Sequence, residues 1–79
     1  MSNVDVIVYT TDTCPYCRMM VDFLTRQNIP YEERNVTRQP EFVSELVELG
    51  AAGVPTSVVR GETVVGYDPE RILSLTGRA

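Results

Sequence analysis

The only two thiols of the chain lie three positions apart in the segment "TDTCPYC", as Cys14 and Cys17 with Pro15 and Tyr16 between them. A helix that begins at Pro15 places Cys14 at its N-cap and Cys17 in its first turn, so the two sulfurs come within bonding reach. The unpaired N–H groups and the positive dipole end of a helix favour a thiolate at Cys14. The pair therefore predicts a dithiol in which Cys14 attacks a substrate disulfide and Cys17 resolves the mixed disulfide.

Three other uses of a cysteine pair fit this sequence less well. A zinc site needs about four ligands, and one chain without histidine or further cysteine does not supply them, although two chains together could. A structural disulfide across so short a loop would constrain little of the unfolded chain. An inert buried pair fits poorly beside a proline that opens a helix. The sequence therefore predicts redox chemistry and no metal site.

Composition and charge limit the remaining possibilities. With 79 residues the chain is long enough for one domain, and two cysteines three apart cannot link distant segments as the disulfides of small secreted domains do. No apolar run approaches the roughly 18 residues of a membrane span, and the N-terminus does not resemble a signal peptide. The net charge of −4, with seven dispersed arginines as its only cations, argues against nucleic acid. We expect a monomeric cytoplasmic protein.

The segments around the cysteines predict a strand followed by a helix. Residues 4–10, "VDVIVYT", are rich in β-branched side chains, which is typical of a buried strand. After the cysteines, residues 18–28 place three apolar side chains on one helical face: Met20, Val21 and Leu24. The cysteine pair would thus lie between the end of a strand and the start of an amphipathic helix.

The rest of the chain predicts a second strand, two further helices and a hairpin. "YEERNV" (31–36) reads as a strand, "PEFVSELVEL" (40–49) as a helix, "PTSVVRGETVVG" (55–66) as a hairpin and "DPERILSLTG" (68–77) as the last helix. The side chains predicted to face inward from the second helix are Phe42, Val43, Leu46 and Val47.

This order of elements predicts an α/β fold, β-α-β-α-β-β-α. Two strands joined through a helix should be parallel with a right-handed crossover, and the final hairpin should be antiparallel. In the last helix Asp68 is the predicted N-cap, Pro69 the first residue and Gly77 the stop. The expected architecture is a mixed four-stranded sheet flanked by three helices.

The segments "VYTTDTCPYC" and, at 53–56, "GVPT" closely resemble two signatures of the dithiol glutaredoxins, and the likeness runs from Val4 to about Leu75. That family has a minimal thioredoxin-like fold, so the resemblance implies a single glutaredoxin-like domain over residues 1–79. It implies that Cys14 is the nucleophile and Cys17 the resolving thiol. It also implies a cis peptide bond before Pro55, which would pack against the disulfide.

The chain departs from glutathione-using glutaredoxins at two places. Those proteins usually carry a lysine shortly before the first cysteine, where this chain has Thr11 and contains no lysine at all. They also usually carry two glycines, a small residue and an aspartate near the last helix, where this chain has "VVGYDPE". Gly66 matches, Tyr67 replaces the second glycine, and Asp68 comes one position early. Arg38 is either a clamp for a substrate carboxylate or an ordinary surface arginine. The substrate-binding residues that the resemblance implies are Thr11, Pro15, Tyr16, Arg38, Val54, Pro55, Gly66, Tyr67 and Asp68.

The segments "NVTRQPE" (35–41) and "GYDPERI" (66–72) resemble a sister group, the NrdH-type redoxins. That resemblance implies a reductant of disulfide-containing proteins that donates electrons to ribonucleotide reductase and is recharged by thioredoxin reductase. NrdH-type redoxins usually carry other residues than Pro-Tyr between the cysteines, so a glutathione-dependent glutaredoxin, with glutathione as co-substrate, is the alternative. No tightly bound cofactor is expected. An iron–sulfur carrier, disfavoured by Pro15, and a non-catalytic interaction domain are the remaining readings.

Overall fold

The computed structural model describes residues 4–51 and 53–77, and within them the predicted order of four strands and three helices is confirmed. The predicted domain range also includes residues 1–3, 52, 78 and 79, which lie outside the described residues. The elements are β1 (Val6–Thr10), α1 (Pro15–Arg26), β2 (Tyr31–Asn35), α2 (Phe42–Glu48), β3 (Thr56–Val59), β4 (Glu62–Val65) and α3 (Pro69–Leu75).

The strands form one mixed sheet in the order β2-β1-β3-β4. β1 pairs in parallel with β2, as expected for two strands joined through a helix, and antiparallel with β3. β3 and β4 form the predicted hairpin, whose two turn residues, Arg60 and Gly61, have φ angles of 51° and 90°. Positive φ at both positions is the signature of a type I′ turn, which matches the twist of the strands it joins.

The main core lies between one face of the sheet and the helices α1 and α3. Its buried members are Val6, Val8, Met20, Leu24, Ile29, Val59, Val64 and Ile72. Full burial of one such side chain stabilises the fold by about 1.5–3 kcal/mol relative to exposure. α3 begins and ends as predicted: the Asp68 carboxylate accepts the Arg71 N–H at 3.3 Å, and Gly77 has a φ of +76°.

The core contact of α1 gives a testable prediction, because this helix carries both cysteines. Leu24 is fully buried, so Leu24→Ala should leave a cavity and lower the free energy of unfolding by about 2–5 kcal/mol. Val47→Ala is the matched control, since its side chain is 69% exposed and the change should be within about 0.5 kcal/mol. Urea unfolding followed by circular dichroism measures both. Equal effects of the two substitutions would contradict this assignment of the core.

α2 packs on the opposite face of the sheet through a polar cluster. Tyr9 alternates with Val8 along β1, and its hydroxyl donates to Glu45 of α2 at 2.8 Å. Arg34 of β2 donates to the same carboxylate at 2.6 Å, and its guanidinium lies 5.6 Å from the centre of the Phe42 ring. The Tyr9 hydroxyl, together with Arg34, lowers the pKa of Glu45. These contacts hold α2 against β1 and β2.

The predicted inward face of α2 is wrong in part. Leu46 is buried and Phe42 half-buried, as expected, but Val43 and Val47 are 46% and 69% exposed. The helix spans only seven residues, and the apolar stripe that it turns to the sheet is narrow. Leu49, half-buried just after the end of the helix, extends this stripe. Val43 and Val47 lie about 100° further round the helix than Phe42 and Leu46, which turns them to solvent.

Candidate active site

The start of α1 places the two thiols in different surroundings. Cys14 is the N-cap residue, with extended backbone angles of −98° and 111°, and Pro15 is the first helical residue, as predicted. The Sγ of Cys14 accepts the backbone N–H of Cys17 at 3.3 Å. Both are free thiols; Cys14 is half-buried, whereas Cys17 is only 2% exposed. Cys14 is therefore the thiol that a large substrate can reach.

The loop before β3 faces Cys14. The bond between Val54 and Pro55 is cis, as the resemblance implied, and the Cys14 thiol donates to the Val54 carbonyl at 3.7 Å. The Pro55 carbonyl accepts the Gly66 N–H at 2.8 Å, which joins the loop to the end of β4. The backbone of Val54 thus lies beside the sulfur, where an extended substrate could pair with it. That Pro55 packs against a Cys14–Cys17 disulfide stays a prediction.

Two tyrosines form one rim of the site. The rings of Tyr16, which is 59% exposed, and Tyr67 lie 6.5 Å apart between centroids with an angle of 32° between their planes. Tyr67 also packs against the main core, which fixes its position. Asp68 follows it, but the carboxylate of Asp68 already caps α3 through the Arg71 N–H. Where the resemblance implies a second glycine, this chain therefore places the ring of Tyr67 near that of Tyr16.

The remaining predicted residues, Thr11 and Arg38, lie on the other side of α1. Both line a cavity of about 620 Å³ between α1 and β2, which Cys17 also lines and Cys14 and Val54 do not. Arg38 forms an ion pair with Asp12 at 3.3 Å. The structure therefore divides the predicted substrate-binding residues into two groups. Pro15, Tyr16, Val54, Pro55, Gly66, Tyr67 and Asp68 belong to the elements around Cys14, and Thr11 and Arg38 to the cavity beside Cys17.

The surroundings of Cys17 raise the pKa of its thiol. Burial, and then the hydrogen bond with Cys14, raise the pKa of Cys17 from 9.0 to about 12, and the negative charge of Glu33 adds to the effect. A backbone hydrogen bond from Thr11 opposes part of this rise. Cys17 is therefore a thiol at neutral pH, and it would have to lose its proton to react as a thiolate.

The sequence-based prediction missed Glu33 and Thr10. The register of β1 and β2 pairs Glu33 with Val8, so its side chain emerges on the face that α1 covers. There the Thr10 hydroxyl donates to the Glu33 carboxylate at 2.7 Å. The sequence of β2, YEERN, has charged side chains at three successive positions and therefore on both faces of the strand. It gave no signal that Glu33 lies on the face covered by α1.

The described part of the chain offers neither a metal site nor a membrane span. Among residues 4–51 and 53–77 no three His, Cys, Asp or Glu side chains are grouped as metal ligands would be. Within the same residues no helix is long and apolar enough to cross a membrane.

Comparison with known proteins agrees with this geometry. The family model for glutaredoxin matches residues 6–64, which include both cysteines and the cis peptide bond. The chain belongs to the glutaredoxin family. As a glutaredoxin-like protein it is a thiol–disulfide oxidoreductase with a thioredoxin-like fold.

Relatives of this glutaredoxin-like chain fall into both expected groups. It is 30% identical to the glutaredoxin-like protein NrdH of Lactococcus lactis, over 89% of this chain and 97% of that protein. It is 33% identical to a glutaredoxin of Pseudomonas aeruginosa, over 77% of this chain and 73% of that one. The crystal structure of the thioredoxin-like protein BC3987 superposes with a TM-score of 0.83 at 32% identity, covering 89% of this chain and 97% of that one.

Proposed function

We propose that Cys14 of this oxidoreductase attacks protein disulfides and that Cys17 resolves the resulting mixed disulfide. The observation that carries this proposal is the placement of the Cys14 thiol at the N-cap of α1, 3.7 Å from the Val54 carbonyl, with Cys17 buried one turn deeper. The Val54 backbone beside the Cys14 sulfur offers pairing groups to an extended substrate. Residues 1–79 then act as one monomeric domain in the reducing cytoplasm.

We propose further that thioredoxin reductase, rather than glutathione, recharges the disulfide, and that ribonucleotide reductase is a recipient of the electrons. Thr11 supplies no positive charge for a glutathione carboxylate, and the carboxylate of Asp68 is occupied by the cap of α3. Tyr67 stacks beside Tyr16 where the family's second glycine leaves room. Arg38 is paired with Asp12 and lies on the cavity beside Cys17. The 30% identity to an NrdH supports the same branch.

An assay of NADPH consumption with two separate reductants tests this choice. The oxidised protein should be turned over rapidly with thioredoxin reductase and slowly with glutathione plus glutathione reductase, because Thr11 replaces the usual lysine and Tyr67 the usual second glycine. Insulin, whose disulfides are reduced in the assay, serves as the same protein substrate for both reductants. The variant Cys14→Ser gives the background rate of each assay. Rapid turnover with the glutathione system but not with thioredoxin reductase would instead indicate a glutathione-dependent glutaredoxin. Arg38 would then be the first residue to substitute in a search for the glutathione-binding site.

A further inference from the structure

The resolving step poses a problem for Cys17 in this structure. Thiol–disulfide exchange requires a thiolate, yet Cys17 is 2% exposed, and burial, the largest cause of its raised pKa, persists when a substrate is bonded to Cys14. During the step that needs this thiolate, a substrate is bound to Cys14 and covers the side of α1 that faces Val54. The proton of Cys17 must therefore leave from another side.

The cavity between α1 and β2, called here the rear cavity, provides such a side. Cys17 forms part of its wall, whereas Cys14, Val54 and Tyr67 do not line it, so a substrate bound at Cys14 leaves it open. Its volume of about 620 Å³ is ample for several water molecules. The charged side chains around it are Asp12 from the loop before α1, Arg18 and Asp22 from α1, Glu33 from β2 and Arg38 from the segment after β2.

Among these charged groups, Glu33 is placed to interact with Cys17. Glu33 lines the same cavity as Cys17, and its negative charge is a minor cause of the raised pKa of Cys17. The Thr10 hydroxyl, on a residue that is 1% exposed, fixes one carboxylate oxygen at 2.7 Å. Glu33 itself is exposed, so a proton that it accepts can pass to water. By contrast, the carboxylate of Asp12 is already paired with Arg38.

We propose that Glu33 accepts the proton of Cys17 through the rear cavity when Cys17 attacks the mixed disulfide. In this step the Cys17 S–H bond breaks, directly or through one water, and the proton goes to the Glu33 carboxylate. The Cys17 sulfur then bonds to Cys14 Sγ while the bond between Cys14 and the substrate sulfur breaks. The substrate leaves as a thiolate, reduced, and the dithiol becomes a disulfide. This inference rests on the roles of Cys14 and Cys17 proposed above.

The proposal and a purely electrostatic role for Glu33 predict opposite effects of neutralising it. If Glu33 acts only through its charge, Glu33→Gln removes a negative charge that disfavours the Cys17 thiolate and resolution becomes faster. If Glu33 accepts the proton, the same substitution slows resolution, by about 100-fold at the low end of general-base effects. The amide oxygen of glutamine can still accept the Thr10 hydroxyl, so the cavity wall keeps its shape.

A single-turnover experiment with the chromogenic disulfide 5,5′-dithiobis(2-nitrobenzoate) separates the two steps in the full chain. The first thionitrobenzoate is released when Cys14 attacks, and the second, at a rate independent of reagent concentration, when Cys17 resolves. We expect Glu33→Gln to leave the first phase unchanged and to slow the second by about 100-fold. Asp22→Asn, which removes another charge from the same cavity, is the control and should change the second phase by less than about twofold.

The pH profile of the unsubstituted protein gives an independent readout should Glu33→Gln fail to fold. With a carboxylate as acceptor, the second phase should change little between about pH 6 and about pH 8. Loss of the proton to hydroxide would instead raise it about tenfold per pH unit. An unchanged or faster second phase in Glu33→Gln, or that tenfold slope, would overturn the proposal. If Cys17 is not the resolving thiol, the result is different: a second phase that is independent of reagent concentration would still be seen in Cys17→Ser.

Discussion

Replacing Cys14 by serine should lower disulfide reduction at neutral pH by about 100-fold or more. The thiol that remains, Cys17, is buried, and burial is the largest cause of its raised pKa, so Cys17 stays protonated even after the hydrogen bond with Cys14 is lost. Because Cys17 is only 2% exposed, a protein disulfide also cannot reach it directly. Reduction of insulin by the dithiothreitol-reduced variant, measured as turbidity, is a direct assay.

Replacing Cys17 by serine should have a different consequence, which makes it the matched control. Cys14 still attacks, but nothing displaces the substrate from it, so a covalent mixed disulfide accumulates at about one per chain. Mass spectrometry under non-reducing conditions detects this adduct. An adduct on Cys14→Ser, or multiple turnovers by Cys17→Ser with a protein substrate, would contradict the assignment of nucleophile and resolving thiol.

The helices around the site could be predicted largely because their ends carry local chemical signals. Pro15 after Cys14, Asp68 before Pro69, and Gly77 each act through neighbouring backbone groups, and each occupies its predicted helix position in the structure. The parallel pairing of β1 and β2 followed from the helix that joins them. These features depend on short stretches of chain, which a single sequence records well.

Features that depend on how distant segments pack were harder to predict. Val43 and Val47 are apolar like core residues, but they are exposed. The ion pair between Glu45 of α2 and Arg34 of β2 fixes which side of this seven-residue helix faces the sheet. Likewise, the position of Glu33 on the cavity that Cys17 lines results from the register of β1 and β2 and from a hydrogen bond with Thr10, a residue 23 positions away in sequence. The resemblance to glutaredoxins located the side of the site around Cys14, whereas the side at the rear cavity required the fold.

In the proposed mechanism the two sides of α1 have different tasks. On one side Cys14, with the Val54 carbonyl 3.7 Å from its sulfur, would attack the substrate disulfide. On the other side Cys17 faces the rear cavity with Glu33. This division matters because the substrate and the proton of Cys17 would otherwise compete for the same small opening.

The burial of Cys17 gives the last prediction, a large difference in alkylation rate between the two thiols. At about pH 7 iodoacetamide should modify the reduced native protein once, at Cys14, because alkylation needs both access and a thiolate. Because the pKa of Cys17 is raised, this thiol is protonated throughout the neutral range. The fraction of Cys17 present as thiolate rises about tenfold per pH unit and levels off above about pH 12. Cys17 should thus react at least a thousandfold more slowly than an unfolded cysteine.

Mass spectrometry of the alkylated protein tests this directly. The native unsubstituted chain should carry one adduct and the chain unfolded in guanidinium two, while native Cys14→Ser should carry none over the same time. The unfolded Cys14→Ser variant controls for the intrinsic reactivity of Cys17, since unfolding removes the burial that raises its pKa. Rapid double labelling of the native protein would mean that Cys17 is far more accessible in solution than its buried position in the first turn of α1 allows. Cys17 would then need no proton acceptor at the rear cavity.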